Sequence, residues 1–199
     1  MKAKKALVVV DLQNDFCPGG ALGVREGDLI IPAVNKYVKL FLNKNLPVFV
    51  SRDWHPKTTK HFQESGGPWP PHCIQNTRGA EFHPDFQVPG QAIILSKGIN
   101  PDMDGYSVFD AQNAQGKFFE DMLDEMGVQE LYIGGIATDY CVRMTSLDAI
   151  KKKFKVHVLV DAIKGVDEED SRRTIDEIVA QKGNLKTYSD VSSELSDEF

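Results

Sequence analysis

Residues 131–160 read LYIGGIATDYCVRMTSLDAIKKKFKVHVLV. An apolar run, Leu131–Ile133, passes through a glycine pair into a helical stretch over Asp139–Lys153, then into a second apolar run, Val156–Val160. Two β-type runs joined by a helix form a crossover unit, which is right-handed and pairs its strands in parallel. The same pattern extends outward along the chain. Leu7–Val10, Leu46–Val50 and Ala92–Leu95 read as further buried strands, and Asn184–Tyr188 as a sixth, edge strand. A stripe of Ile31, Val34, Val38 and Leu42, with Pro32 near its start, predicts a helix. Two more fit Lys117–Met126, closed by Gly127, and Glu168–Gln181, closed by Gly183. The fold class is therefore α/β: a doubly wound, mostly parallel six-stranded sheet with helices on both faces.

At 199 residues the chain is expected to be one domain spanning 1–199, with an acidic, serine-rich tail, Ser189–Phe199, that frays. Its 29 acidic and 23 basic residues give a net charge of −6 without a polybasic block, which argues against nucleic acid or an anionic membrane as partner. With 41% apolar and 26% charged residues, neither a disordered nor a fibrous chain is expected. The start, Met-Lys-Ala-Lys-Lys, looks like the basic end of a signal peptide. The apolar run behind it stops at Asp11, too short for such a peptide or for a membrane span. Three cysteines cannot all pair within the chain and lack zinc-ribbon spacing, so a cytoplasmic protein is expected. Assembly into a homo-oligomer is left open.

Open parallel sheets bind ligands beyond the carboxyl ends of their strands. The first strand ends in Asp11, the second in Asp53 with His55 behind it, the third in Lys97, and the fourth runs on to Cys141. An isolated cysteine is ordinarily a core residue. Cys141, however, falls in the first turn of a predicted helix, where unpaired N–H groups favour a thiolate. Asp11 and Lys97 taken singly are a turn cap and a solvated lysine. Together they supply a base and a cation beside one thiol, which nucleophile activation requires. Cys17 and Cys73 lack such a position and read as bystanders.

The segment Arg52 to Gln91 is long and without periodicity, which in a compact domain points to function. Asp53 and His55 could place two ligands on one side of a strand end. His61 and His72 follow, the latter stiffened by Pro70 and Pro71. An Asp/His/His set with open positions suits zinc, iron or manganese better than magnesium, so one divalent ion, zinc foremost, is the expected cofactor. His83 and His157 read as structural or surface residues.

With these residues assembled, the chain resembles the nicotinamidase branch of the isochorismatase-like cysteine hydrolases, from about Ala6 to about Asp190. The resemblance rests on Val10-Asp11-Leu12-Gln13-Asn14-Asp15-Phe16, Arg52-Asp53-Trp54-His55-Pro56, Trp69-Pro70-Pro71-His72-Cys73-Ile74-Gln75, Lys97-Gly98 and Gly135-Ile136-Ala137-Thr138-Asp139-Tyr140-Cys141-Val142. It implies an Asp11/Lys97/Cys141 triad and metal ligands at Asp53, His55 and His72. His61 matches a fourth ligand found in some members. It further implies a cis peptide between Ile136 and Ala137, an oxyanion hole from the N–H groups of Ala137 and Cys141, and a pyridine pocket lined by Phe16, Trp69, Tyr106 and Ala137. The segment between Lys97 and Tyr106 is longer than in some relatives. The implied reaction is hydrolysis of nicotinamide, and by extension pyrazinamide, to the acid and ammonia, within NAD salvage. Three alternatives stay open: another amide hydrolase of the family, an inactive metal-binding member, and a zinc hydrolase using metal-bound water alone.

Overall fold

The computed structural model describes residues 4–197. Six strands form one sheet: β1 (Lys5–Val10), β2 (Val48–Asp53), β3 (Ile93–Lys97), β4 (Glu130–Ile136), β5 (Lys155–Lys164) and β6 (Asn184–Lys186). Their order is β3-β2-β1-β4-β5-β6, and every neighbouring pair is parallel. The helices are α1 (Ile31–Asn43), α2 (Phe119–Met126), α3 (Arg143–Lys151), α4 (Glu168–Ala180) and α5 (Tyr188–Asp197). Among the described residues, no helix is long and apolar enough to cross a membrane.

Strand alternation divides the core. Leu7 and Val9 of β1 pack with Val34, Tyr37 and Phe41 of α1 and with Val191 and Leu195 of α5. Ala6, Val8 and Val10 face the opposite way, toward Phe119 and Leu123 of α2, Ala149 of α3 and Ile178 of α4. Both faces of the sheet are thus covered, as the uninterrupted apolar strands predict. The chain leaves β1 toward β2 and β3 on one side, and β4 toward β5 and β6 on the other. The ends of β1 and β4 therefore flank a topological switch point, where such sheets bind ligands. The register sets Asp53 beside Lys97 and Val10 beside Gly135.

Two expectations need correction. The helix predicted from Asp139 begins instead as a π-helical turn, Thr138–Val142, before α3. Such turns recur at functional sites. The tail expected to fray from Ser189 is helix α5 as far as Asp197; Glu198 and Phe199 lie outside the described residues. Its start is a capping box: the Thr187 N–H donates to Asp190 Oδ2 at 2.8 Å, and the Asp190 N–H to Thr187 Oγ1 at 3.4 Å. Val191 and Leu195, four residues apart, are fully buried against the sheet.

Glu194 anchors the same helix. It accepts from Lys5 at 3.1 Å and from the Tyr132 hydroxyl at 2.9 Å, with Lys186 at 3.3 Å. Partial burial pushes its carboxyl up, but these donors bring it down to about 2. An unfolded glutamate titrates near ~4.3. The depressed value therefore stabilises the fold above that pH, and the benefit is lost as pH falls through the folded value. Glu194→Gln is expected to cost about 1–2 kcal/mol at pH 7, a deficit that shrinks steadily below pH ~4. Urea unfolding across that range checks it; a pH-independent deficit would show that the carboxylate charge is not what holds α5.

Candidate active site

Lys97 is the hub. Fully buried at the end of β3, its ammonium lies 2.7 Å from Asp11 Oδ2 and 2.5 Å from Asp53 Oδ1, and donates to Cys141 Sγ at 3.3 Å. Burial pulls the lysine down, but the two carboxylates outweigh it and hold the group well above its usual value, fully charged. The same ammonium, with His55, holds Asp53 well below the usual carboxylate range against burial. Asp11, with no solvent exposure, is pushed up by burial despite Lys97 and the Ser51 hydroxyl at 2.7 Å. Asp11, Asp53 and Cys141 also converge closely enough to hold a cation. The Lys97 ammonium already fills that role.

Cys141 arrives from the β1–β4 switch point. At Gly135, φ is +123° and a Cβ would collide with the Val10 backbone, so only glycine lets β4 pass this close to β1. The Ile136–Ala137 peptide is cis, as the resemblance implies. The Ala137 carbonyl accepts from the N–H groups of Tyr140 and Val142, both at 3.1 Å, which starts the π-helical turn carrying Cys141. Burial, together with Asp11 and Asp53, lifts the thiol well above its usual value, and Lys97 only partly offsets this. The resting group is thus a thiol, not the thiolate that a helix start beside a cation predicts. Desolvation of a charged sulfur outweighs both.

Asp53 divides its oxygens between two clusters. Oδ1 faces Lys97, while Oδ2 lies 3.6 Å from His55 Nε2 and 3.9 Å from His72 Nε2. Buried His55, His61 and His72 each bring a ring nitrogen within 4.8 Å of the others. Burial holds His61 down and His72 down to about 4, so both are neutral near pH 7. His72 Nδ1 donates to the Pro70 carbonyl at 2.8 Å, which leaves the Nε2 lone pair free. Among the described residues, neither ring nitrogen of His55 has a hydrogen-bond partner. Buried polar atoms are seldom orphaned without a reason. Three imidazoles and one carboxylate are a donor set that fits a zinc-like divalent ion.

A cleft opens over both clusters, lined by Cys141 and by Asp53, His61 and His72. Phe16, Trp69, Tyr106 and Ala137 also line it, while Asp11, Lys97 and His55 do not reach its surface. The Trp69 indole N–H donates to the Tyr106 hydroxyl at 2.7 Å, joining two walls that are far apart in sequence. Every site residue named from the sequence is therefore brought to one place. Sequence reading missed Tyr140, whose ring meets Trp69 edge-on at 5.0 Å, although it adjoins Cys141. It also missed the Gln13 side chain, which accepts from the Asp53 N–H at 2.7 Å and donates to the Asp53 carbonyl at 2.8 Å. Buried Cys17 and Cys73 have thiols raised by burial; His157 stacks on Tyr132.

Residues 5–189 match the isochorismatase domain. The nicotinamidase of Escherichia coli is 37% identical over 204 residues, covering 94% of this chain and 96% of that one. The pyrazinamidase of Pyrococcus horikoshii, solved in complex with zinc, superposes with a TM-score of 0.86 at 45% identity, covering 93% and 99% of the two chains. PnC1 from L. infantum, solved in complex with nicotinate, has a TM-score of 0.84 at 28% identity, covering 95% of each. A domain match over nearly its whole length, carried on a sheet whose switch point assembles these side chains, means that the chain belongs to the isochorismatase family.

Proposed function

We propose that this nicotinamidase-type amidohydrolase converts nicotinamide to nicotinate and ammonia through a thioester on Cys141, all within one domain, and so serves NAD salvage. The observation that carries this reading is the Lys97 ammonium held between Asp11 and Asp53 and touching Cys141 Sγ, at the edge of an aromatic cleft. Three buried free cysteines suit the reducing cytoplasm.

Asp11 has the raised proton affinity of a general base facing a thiol that rests protonated. As Cys141 Sγ attacks the amide carbon, its proton passes to Asp11, and Lys97 steadies the sulfur's developing charge. The N–H groups of Ala137 and Cys141 hold the oxyanion; one such donor is typically worth about 3–4 kcal/mol. Asp11 then gives the proton to the leaving nitrogen, the C–N bond breaks, and ammonia departs. Water, deprotonated by Asp11, attacks the thioester; the C–S bond breaks and the proton returns to sulfur. Asp53, His55, His61 and His72 would hold the divalent ion, which supplies a Lewis-acid site for a heteroaromatic ring nitrogen. Phe16, Trp69 and Tyr106 enclose the ring.

Benzamide has the same shape and the same amide but no ring nitrogen. With zinc-loaded protein, nicotinamide and pyrazinamide are expected to release ammonia readily. The specificity constant for benzamide is expected to be at least ~30-fold lower, about 2 kcal/mol. Parallel kinetics on the three amides test this. Equal constants would remove the reason for assigning a pyridine amide, and no ammonia from any of them would remove the function.

A further inference from the structure

The loop from Lys97 to Tyr106 is closed at its neck by two glycines, Gly98 at φ +66° and Gly105 at φ +69°. A Cβ on Gly105 would strike the Gly98 backbone, and one on Gly98 would strike the His55 ring. Inside the loop, Asn100 Oδ1 accepts from the Asp102 N–H at 2.9 Å, and the Asn100 carbonyl from the Met103 N–H at 3.2 Å. The loop is then fastened to the segment bearing His61. The Pro101 carbonyl accepts from the Lys60 N–H at 2.9 Å and from Thr59 Oγ1 at 3.0 Å, while Lys60 Nζ pairs with Asp102 at 2.6 Å.

This fastening sets Asp104 Oδ1 2.8 Å from His61 Nδ1, although the aspartate side chain is more than half exposed. A carboxylate can only accept, so the proton is on Nδ1 and the free lone pair on Nε2. His72 is oriented by a carbonyl two residues away, and His55 by close packing beneath Gly98. His61 differs from both: its ring is held by a carboxylate from a distant loop.

We infer that Asp104 is a positioning residue that makes His61 the fourth metal ligand by fixing its tautomer and ring plane. Partners of this kind typically tune metal affinity by about 10–100-fold. The inference rests on reading Asp53, His55, His61 and His72 as the metal centre.

The test is zinc affinity by chelator competition on the full chain, with the absorption spectrum of the cobalt-substituted protein as a report on coordination. Asp104→Ala is expected to weaken zinc binding about 10–100-fold and to shift the cobalt spectrum to that of His61→Ala. Asp104→Asn, which keeps an accepting oxygen without the charge, should fall between. Asp124→Ala, which removes an exposed carboxylate on α2 outside this loop, should bind zinc like the unaltered chain. In a His61→Ala background, Asp104→Ala should cost nothing more. Unchanged affinity in Asp104→Ala overturns the inference while leaving the metal centre intact, and so does an equal loss with His61 already removed. Failure of the unaltered chain to bind zinc, or of His72→Ala to weaken binding, overturns the metal centre and the inference with it.

Discussion

Cys141→Ala is expected to lower kcat/KM for nicotinamide by at least ~10⁴-fold, because a thioester route has no substitute for the sulfur that forms it. Zinc content and melting temperature should stay close to those of the unaltered chain. The sulfur touches Lys97, whose remaining partners, Asp11 and Asp53, stay in place. Ammonia release and metal analysis on the same preparation check both halves. Substantial activity in this variant would mean that water attacks the amide directly, the one alternative that the histidine cluster would also support.

Lys97→Met is the more destructive change for the fold. Among the described residues, its ammonium is the one lysine or arginine charge paired with buried Asp11 and Asp53, and its loss leaves two buried carboxylates without that counter-ion. Breaking a buried ion pair from one side costs about 3–5 kcal/mol, and turnover should fall at least ~10³-fold. The pH dependence has a definite sign. Lys97 titrates well above its ordinary value when folded, so its contribution is fully present below the unfolded value of ~10.4 and is lost only as pH rises through the folded one. In the variant, the stranded carboxylates retain protons more strongly than in the unfolded chain. Its stability should therefore decline more steeply as pH rises from ~4 than that of the unaltered chain, in which Lys97 offsets part of the upward shift of Asp11 and holds Asp53 down. Urea unfolding of metal-free protein at pH 5, 7 and 9 measures the difference. A variant as stable as its parent at pH 9 would contradict the role of Lys97 as counter-ion.

Much of this was legible in the sequence because the relevant signals are local. A β-branched run stopped by Asp11, and a glycine pair leading to Cys141, each announce a strand end. The parallel fold then requires those ends to meet at one edge. Helix α5 was not legible: its apolar side chains are few, Tyr188, Val191 and Leu195, and its stability comes from the core they cover. Asp104 was not legible either, since an aspartate in a polar loop carries no sign of a histidine 43 positions away. The burial of Cys141 was not legible. Sequence shows the helix start and the lysine, which favour a thiolate, but not the burial that outweighs them. Burial depth is a property of the assembled core, and it makes the transfer of the thiol proton a part of the attack.

The most direct measurement is therefore of the covalent intermediate itself. Zinc-loaded protein mixed with nicotinamide, quenched in acid during steady turnover and digested, should carry a nicotinoyl group on the peptide containing Cys141, with unmodified Cys17 and Cys73. The adduct should disappear when substrate is exhausted, as nicotinate and ammonia reach equal amounts. Steady ammonia release with no acyl group on Cys141 at any quench time, or with the group on another residue, would contradict the assignment of Cys141 as nucleophile.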